Sequence, residues 1–381
     1  MCGMRALLSI FMLITTVSSL SADSGDYFVY FGTYTAKISK GVYAYRFQPS
    51  SGKLTAIGPV AEAPNPSFLA FGPDQRHLYL VNWKGSDLIK GNTVSAYAVD
   101  GHTGKLSFLN KVDSRGEMPT HLTVDSSGRM VMVVNYGSGS VTAFNVLTDG
   151  RLSEATSFDQ HQGSSVVKER QEGPHAHAVV LSADNHFAFV ADLGLDKVFS
   201  YRVDPAKAAF TSNDPPFVKV HPGAGPRQLA FHPNGKFLYA NNEIDSTVTA
   251  FAYDHDRGGL KEVQTLSTLP ADFKGQNSTA EIQTDAAGKF LYVSNRGHDS
   301  IAVFAIDPAN GRLTPVEHVS TQGKTPRNFS LDPTGSYLFA ANENSSTVVV
   351  FRVDANSGRL KSTGQVLEVP SPSCVVFRKV D

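Results

Sequence analysis

The residues best equipped for chemistry in this chain are histidines, arginines and glutamates at matching offsets from a recurrent pattern. They are His121, His175 and His177; Arg227, Arg296 and Arg327; Glu243, Glu281 and Glu343; Tyr136 stands among them. An imidazole titrates near neutral pH and a carboxylate can be tuned by burial, so either can act as a general base. A guanidinium fork binds carboxylate or phosphate bidentately and stabilises a developing oxyanion. Together these groups can move a proton and hold negative charge in one place.

Metal binding is the rival reading for part of the set. His175-Ala-His177 is an H-x-H whose side chains would point the same way on a strand, but a zinc site needs a third ligand and no cysteine is placed to help. A calcium site from Glu243, Asn242 and Asp192 is conceivable. A metal-free, cofactor-free site is the expectation. The sequence has no Gly-x-Ser-x-Gly elbow, Walker loop, dinucleotide fingerprint or His-Glu-x-x-His, so a serine hydrolase or nucleotide enzyme has no support.

What positions these residues is a repeat. A short apolar strand (A) is followed by a turn with Asp, Pro or Gly and a second apolar strand (B) closing on Asn or Asp. An alternating strand (C) comes next, then a Gly-Lys/Arg-Leu turn into a fourth (D), as in Leu229–Asn242 and Phe329–Asn342. The closing residues Asn82, Asn135, Asp192, Asn242, Asn295 and Asn342 are 53, 57, 50, 53 and 47 residues apart, the period of a propeller blade. Six copies are continuous. The seventh is split: B, C and D equivalents open the chain (Tyr27 to Phe31, Val42 to Phe47, Leu54 to Ile57) and Cys374–Phe377 supplies A at its end. The fold expected is therefore all-β, a seven-bladed β-propeller of four-stranded antiparallel blades, its ring closed by a blade shared between the termini, which removes exposed sheet edges.

In an antiparallel A–B pair the residue before A and the residue after B lie at the same end. Those positions hold Ser67 and Trp83, Thr120 and Tyr136, His177 and Leu193, Arg227 and Glu243, Ala280 and Arg296, Arg327 and Glu343, Ser373 and Thr33. With His121, His175 and Glu281 beside them, three histidines, three arginines and three glutamates are expected at one mouth of the channel. Arg227–Glu243 and Arg327–Glu343 could each be structural ion pairs, and the closing Asn residues are assigned to backbone bonding at turns. His77, His186, His221, His232 and His318 are expected to be solvated in turns or on blade surfaces. A scaffold gains little from gathering charges at one end, because each carries a desolvation cost.

The bulk properties narrow the partners. The 381 residues carry 34 Lys plus Arg and 35 Asp plus Glu, a formal charge of −1, which gives no footprint for nucleic acid or an anionic membrane. Arg5, the apolar stretch Ala6 to Val17 and the small residues to Ala22 read as an export signal over 1–22. The apolar run is shorter than the roughly 20 residues that span a bilayer. Residues 23–381 are then one exported domain, free of the membrane, expected to act as a monomer with Cys374 its lone cysteine.

The segments Gly173-Pro-His-Ala-His177, Val190–Asp196, Gly225-Pro-Arg-Gln228, Asn242–Val248, Asn135–Val141 and Phe31-Gly-Thr-Tyr34 together resemble the lactonase seven-bladed propeller family, over essentially the whole mature chain. That family includes 6-phosphogluconolactonases and carboxymuconate lactonizing enzymes. The resemblance implies a metal-independent site in which His177, Arg227, Glu243 and Arg296 are catalytic, on a small lactone carrying carboxylate or phosphate. His175, His121, Tyr136, Glu281, Arg327 and Glu343 are the candidates for binding it. Export separates the chain from cytoplasmic phosphogluconate metabolism, so the phosphorylated substrate is one option among sugar-acid lactones. Two alternatives use the same evidence: a lactone-forming isomerase, and a non-catalytic exported binding module.

Overall fold

The computed structural model describes residues 25–35, 38–83 and 91–381; the expected export signal over 1–22 lies outside them. The described residues form 28 strands in seven antiparallel sheets of four. Blade 1 pairs the C-terminal strand Pro372–Lys379 with Tyr27–Thr33, followed by Gly41–Gln48 and Lys53–Glu62, which is the shared closure expected from the split repeat. Blades 2 to 7 begin on the inner strands Leu69–Phe71, Pro119–Val124, Ala176–Leu181, Pro226–Phe231, Ser278–Thr284 and Pro326–Leu331. Successive inner strands pack on one another around the ring, including that of blade 1 on that of blade 2.

The core lies between blades. The B strands are buried along almost their whole length, as Met130–Asn135 and Tyr337–Asn342 illustrate, because both of their faces meet a neighbouring sheet. Seven apolar clusters result, one per blade interface; Met132, Val134 and Val141 of blade 3 pack on Ala188, Val190 and Tyr201 of blade 4. Burial on this scale stabilises by roughly 25 cal/mol per Å² of apolar surface, so the ring needs no disulfide, and Cys374 is a free, buried thiol.

A second device joins the blades. The Tyr30, Tyr79, Tyr239 and Tyr292 hydroxyls on B strands donate to the carbonyls of Gly104, Gly150, Gly311 and Gly358 in the C–D turn of the next blade. Gly311 has a φ of 73°, and an added Cβ would sit 2.4 Å from the Phe237 ring, so both backbone and space demand glycine there. The strand-closing asparagines do the structural work assigned to them: Asn135, Asn295 and Asn342 donate to the carbonyls of Ser114, Thr268 and Thr321. Two surface assignments are wrong: His318 is partly buried, with its Nε2 enclosed and without a hydrogen-bond partner, and His232 is the second. His232 is buried, its Nε2 2.8 Å from the carbonyl of Gly288, because the A–B turn of blade 5 packs against that of blade 6.

Candidate active site

A cavity of about 490 Å³ opens at one end of the channel, lined by Tyr136, His177, Glu243, Arg296, Arg327 and Glu343 among others. The sequence places these residues just before strand A or just after strand B; the structure extends strand A to include the first group and bulges it there. Pro226 pairs with Asn242 and Gln228 with Asn241, leaving Arg227 as the additional residue. The same register shift singles out Thr120, His177 and Arg327 in blades 3, 4 and 7. A bulge turns one side chain out of the pleat without ending the strand, so repeated bulges deliver a ring of side chains to the axis. Side chains of strand B satisfy the amides that follow: Gln228 donates its backbone N–H to Asn241 Oδ1 and Glu281 donates to Ser294 Oγ.

Glu243 is the hub. Its Oε2 accepts from Arg227 Nε at 2.7 Å and lies 2.8 Å from Arg296 Nη2, while Oε1 accepts from Arg170 Nη2. Burial alone would raise this carboxyl; the guanidiniums of Arg296 and Arg227 outweigh that and hold it well below the usual carboxylate range. With both oxygens taken up by guanidiniums, this carboxylate is placed to act as a clamp. Arg227 is buried, with a second bond from Nη1 to the Ala280 carbonyl, and burial followed by the repulsion of Arg296 lowers it to about 10. Arg296 also donates to the Thr279 carbonyl, while its buried Nε has no hydrogen-bond partner.

His177 is buried at the cavity wall, edge-on to Tyr136 at 5.6 Å between ring centres, and its Nδ1 makes no hydrogen bond. Desolvation, then the charge of Arg227, keeps the imidazole neutral well below its ordinary range. Arg327 lies over the Tyr34 ring at 5.0 Å and meets Glu343 at 3.4 Å, a looser pair than those at Glu243.

The remaining candidates divide. Glu281 lines a small cavity of about 20 Å³ in the axial channel, together with His177, Arg227 and Arg327; burial raises its carboxyl to about 7. His121 is structural: its Nδ1 accepts from the Val179 amide of the next blade at 3.4 Å, and burial lowers it to about 3. His175 stacks on Tyr136, with Nδ1 2.9 Å from the Tyr136 carbonyl and Nε2 3.2 Å from Glu172, so it supports the wall of the cavity. Both of its nitrogens are thereby engaged, and among the described residues no third His, Cys, Asp or Glu joins His175 and His177 in a group that could hold a metal. The conceived calcium ligands are dispersed as well: Asp192 pairs with His161 at 2.6 Å and Asn242 bonds Thr247 and Thr249.

Arg170 was missed. It arrives on the segment 161–175 between blades 3 and 4, which His161 anchors through Asp192 and Gln171 through Asp196 at 2.8 Å. The one available signal was length: the interval from Asn135 to Asp192 is the longest of the five.

Arg170, Arg296 and Arg327 line the cavity with Glu243 and Glu343, and Arg227 is buried behind Glu243, so the cavity carries an excess of positive charge beside a neutral imidazole and is suited to an anion whose negative charge grows during reaction. Comparison with known proteins agrees with this chemistry. Residues 28–377 match the family described as lactonase, 7-bladed beta-propeller. The 6-phosphogluconolactonase of Bacillus subtilis is 36% identical over 306 residues, covering 80% of this chain and 85% of the relative. That of Formosa agariphila is 35% identical over 310 residues, 80% of this chain and 86% of its own. The periplasmic gluconolactonase PpgL of Pseudomonas aeruginosa superposes with a TM-score of 0.88 at 38% identity, covering 93% of this chain and all of that one. The chain belongs to the seven-bladed β-propeller lactonase family.

Proposed function

We propose that the protein hydrolyses the lactone of a sugar acid at this cavity, as its relatives named 6-phosphogluconolactonase and gluconolactonase do by name. The observation that carries the reading is the gathering of a neutral, unpaired His177 with guanidiniums in excess of carboxylates at the channel mouth.

Ring opening adds water to the lactone carbonyl, passes through an anionic tetrahedral intermediate, and breaks the bond to the ring oxygen, which takes a proton to become a hydroxyl. His177, held neutral, accepts the proton of the attacking water and returns it to the departing oxygen. Arg296, whose side chain lines the cavity, stabilises the oxyanion. Glu243, with both oxygens bonded to guanidiniums, keeps Arg227 and Arg296 in place, and His177, which has an unbonded ring nitrogen, is the preferred base of the two candidates. Metal and cofactor have no part in this scheme.

Residues 23–381 form the mature domain, exported after removal of 1–22; the sequence of that segment and the periplasmic setting named for PpgL support this. The test is acid release measured by pH-stat on 6-phosphogluconolactone, gluconolactone and a muconolactone, with and without chelator. Chelator-resistant release above the spontaneous rate is expected. Background rates on all three would favour the non-catalytic binding module, and the reverse reaction on a muconate would favour the isomerase.

A further inference from the structure

The excess charge is unevenly placed. Arg227 is buried and committed to Glu243 and the Ala280 carbonyl. Arg170, by contrast, is about two-fifths exposed and spends one Nη2 bond on Glu243, with the Tyr136 hydroxyl beside it. Arg170 and Arg296 both line the catalytic cavity, and both also line an adjoining groove floored by Asn277, Ser278 and Thr325. The two guanidiniums therefore stand at the threshold between the two spaces. The backbone carrying Arg170 is tied at both ends, by His161 to Asp192 and by Ser165 and Gln171 to Asp196, a carboxylate that the Gly223 and Gly225 amides hold in turn.

We infer that Arg170 forms an anion subsite at this threshold, which receives the carboxylate or phosphate at the far end of the substrate from the lactone carbonyl that Arg296 serves. The inference deepens the lactonase reading and rests on it for the identity of the substrate. A tethered, half-exposed guanidinium can add an anion without first giving up Glu243, because its fork offers several donors. The groove beyond gives the substituent room. A neutral lactone would use His177 and Arg296 and gain nothing from Arg170.

The experiment titrates the full chain calorimetrically with 6-phosphogluconate, glucarate and gluconate, open-chain acids that differ at the far carbon. Wild type should bind the first two on the order of ten-fold more tightly than gluconate, since a charge-assisted bidentate pair is roughly twice as strong as a neutral one. In Arg170→Gln that advantage should shrink to about two-fold or less, with Arg170→Lys retaining part of the charge but not the fork. An advantage seen with 6-phosphogluconate alone supports the subsite with phosphate as its occupant; one seen with both supports it for either anion. Equal affinity for all three in wild type, or an advantage undiminished in a folded Arg170→Gln, overturns the inference. Because binding needs no turnover, the lactonase reading fails separately: a wild type that binds with the stated preference yet hydrolyses no lactone would sink that reading and leave the subsite standing.

Discussion

Glu243→Gln keeps the shape of the side chain and removes the charge on which Arg170, Arg227 and Arg296 converge. At about 4 Å between charge centres and an effective dielectric near 20, each pair is worth about 4 kcal/mol before desolvation. Desolvation offsets much of this, and deleting one partner of a buried pair costs about 3–5 kcal/mol because the others stay buried and uncompensated. At roughly 2 °C per kcal/mol for a chain of this size, Tm should fall by about 6–10 °C. The pH dependence follows from the sign of the shift. A carboxyl held well below its ordinary 4.5 contributes stability that is present above that value and lost only as pH falls through the depressed one. The gap between wild type and variant, measured by differential scanning calorimetry, should therefore stay constant from about pH 5 to about pH 8. Added phosphate should narrow it by occupying the vacated positive site. A Tm within about 1 °C of wild type would refute the clamp, and a gap that narrows as pH rises across that range would show Glu243 titrating there as a base.

Two further perturbations separate the roles of neighbouring groups. His177→Gln should lower kcat/KM on the responsive lactone on the order of a hundred- to ten-thousand-fold with the circular dichroism spectrum unchanged; because the imidazole stays neutral well below 6.5, the wild-type rate should show no acid limb near that pH, and one appearing there would count against His177 as the buried base. Glu281, raised by burial to about 7, favours the folded state in its protonated form, so its contribution is fully present below 4.5 and lost as pH rises through about 7. Glu281→Gln should consequently gain stability relative to wild type between pH 5 and pH 8, by at most about 3 kcal/mol, and thermal melts at the two pH values that show a constant difference would contradict the assignment.

Blade number, ring closure and the end of the channel at which the site lies were all legible in the sequence. Period-2 alternation and turn residues are local properties, and antiparallel pairing converts a fixed offset along the chain into a fixed place on the ring. Thus His177, Arg227, Glu243, Arg296, Arg327 and Glu343 could be brought to one mouth without coordinates, and the Asn positions could be set aside as structural. The roles of those residues needed the tertiary structure. Whether a glutamate is a base or a clamp depends on how many guanidiniums reach it after packing, and at Glu243 three do. His121 and His177 share the same repeat offset to within one residue, yet the bulge turns His177 to the cavity while His121 accepts the Val179 amide. Arg170 belongs to no repeat position at all: an inserted segment has no register, and only the buried bonds of His161 and Gln171 decide where its guanidinium comes to rest.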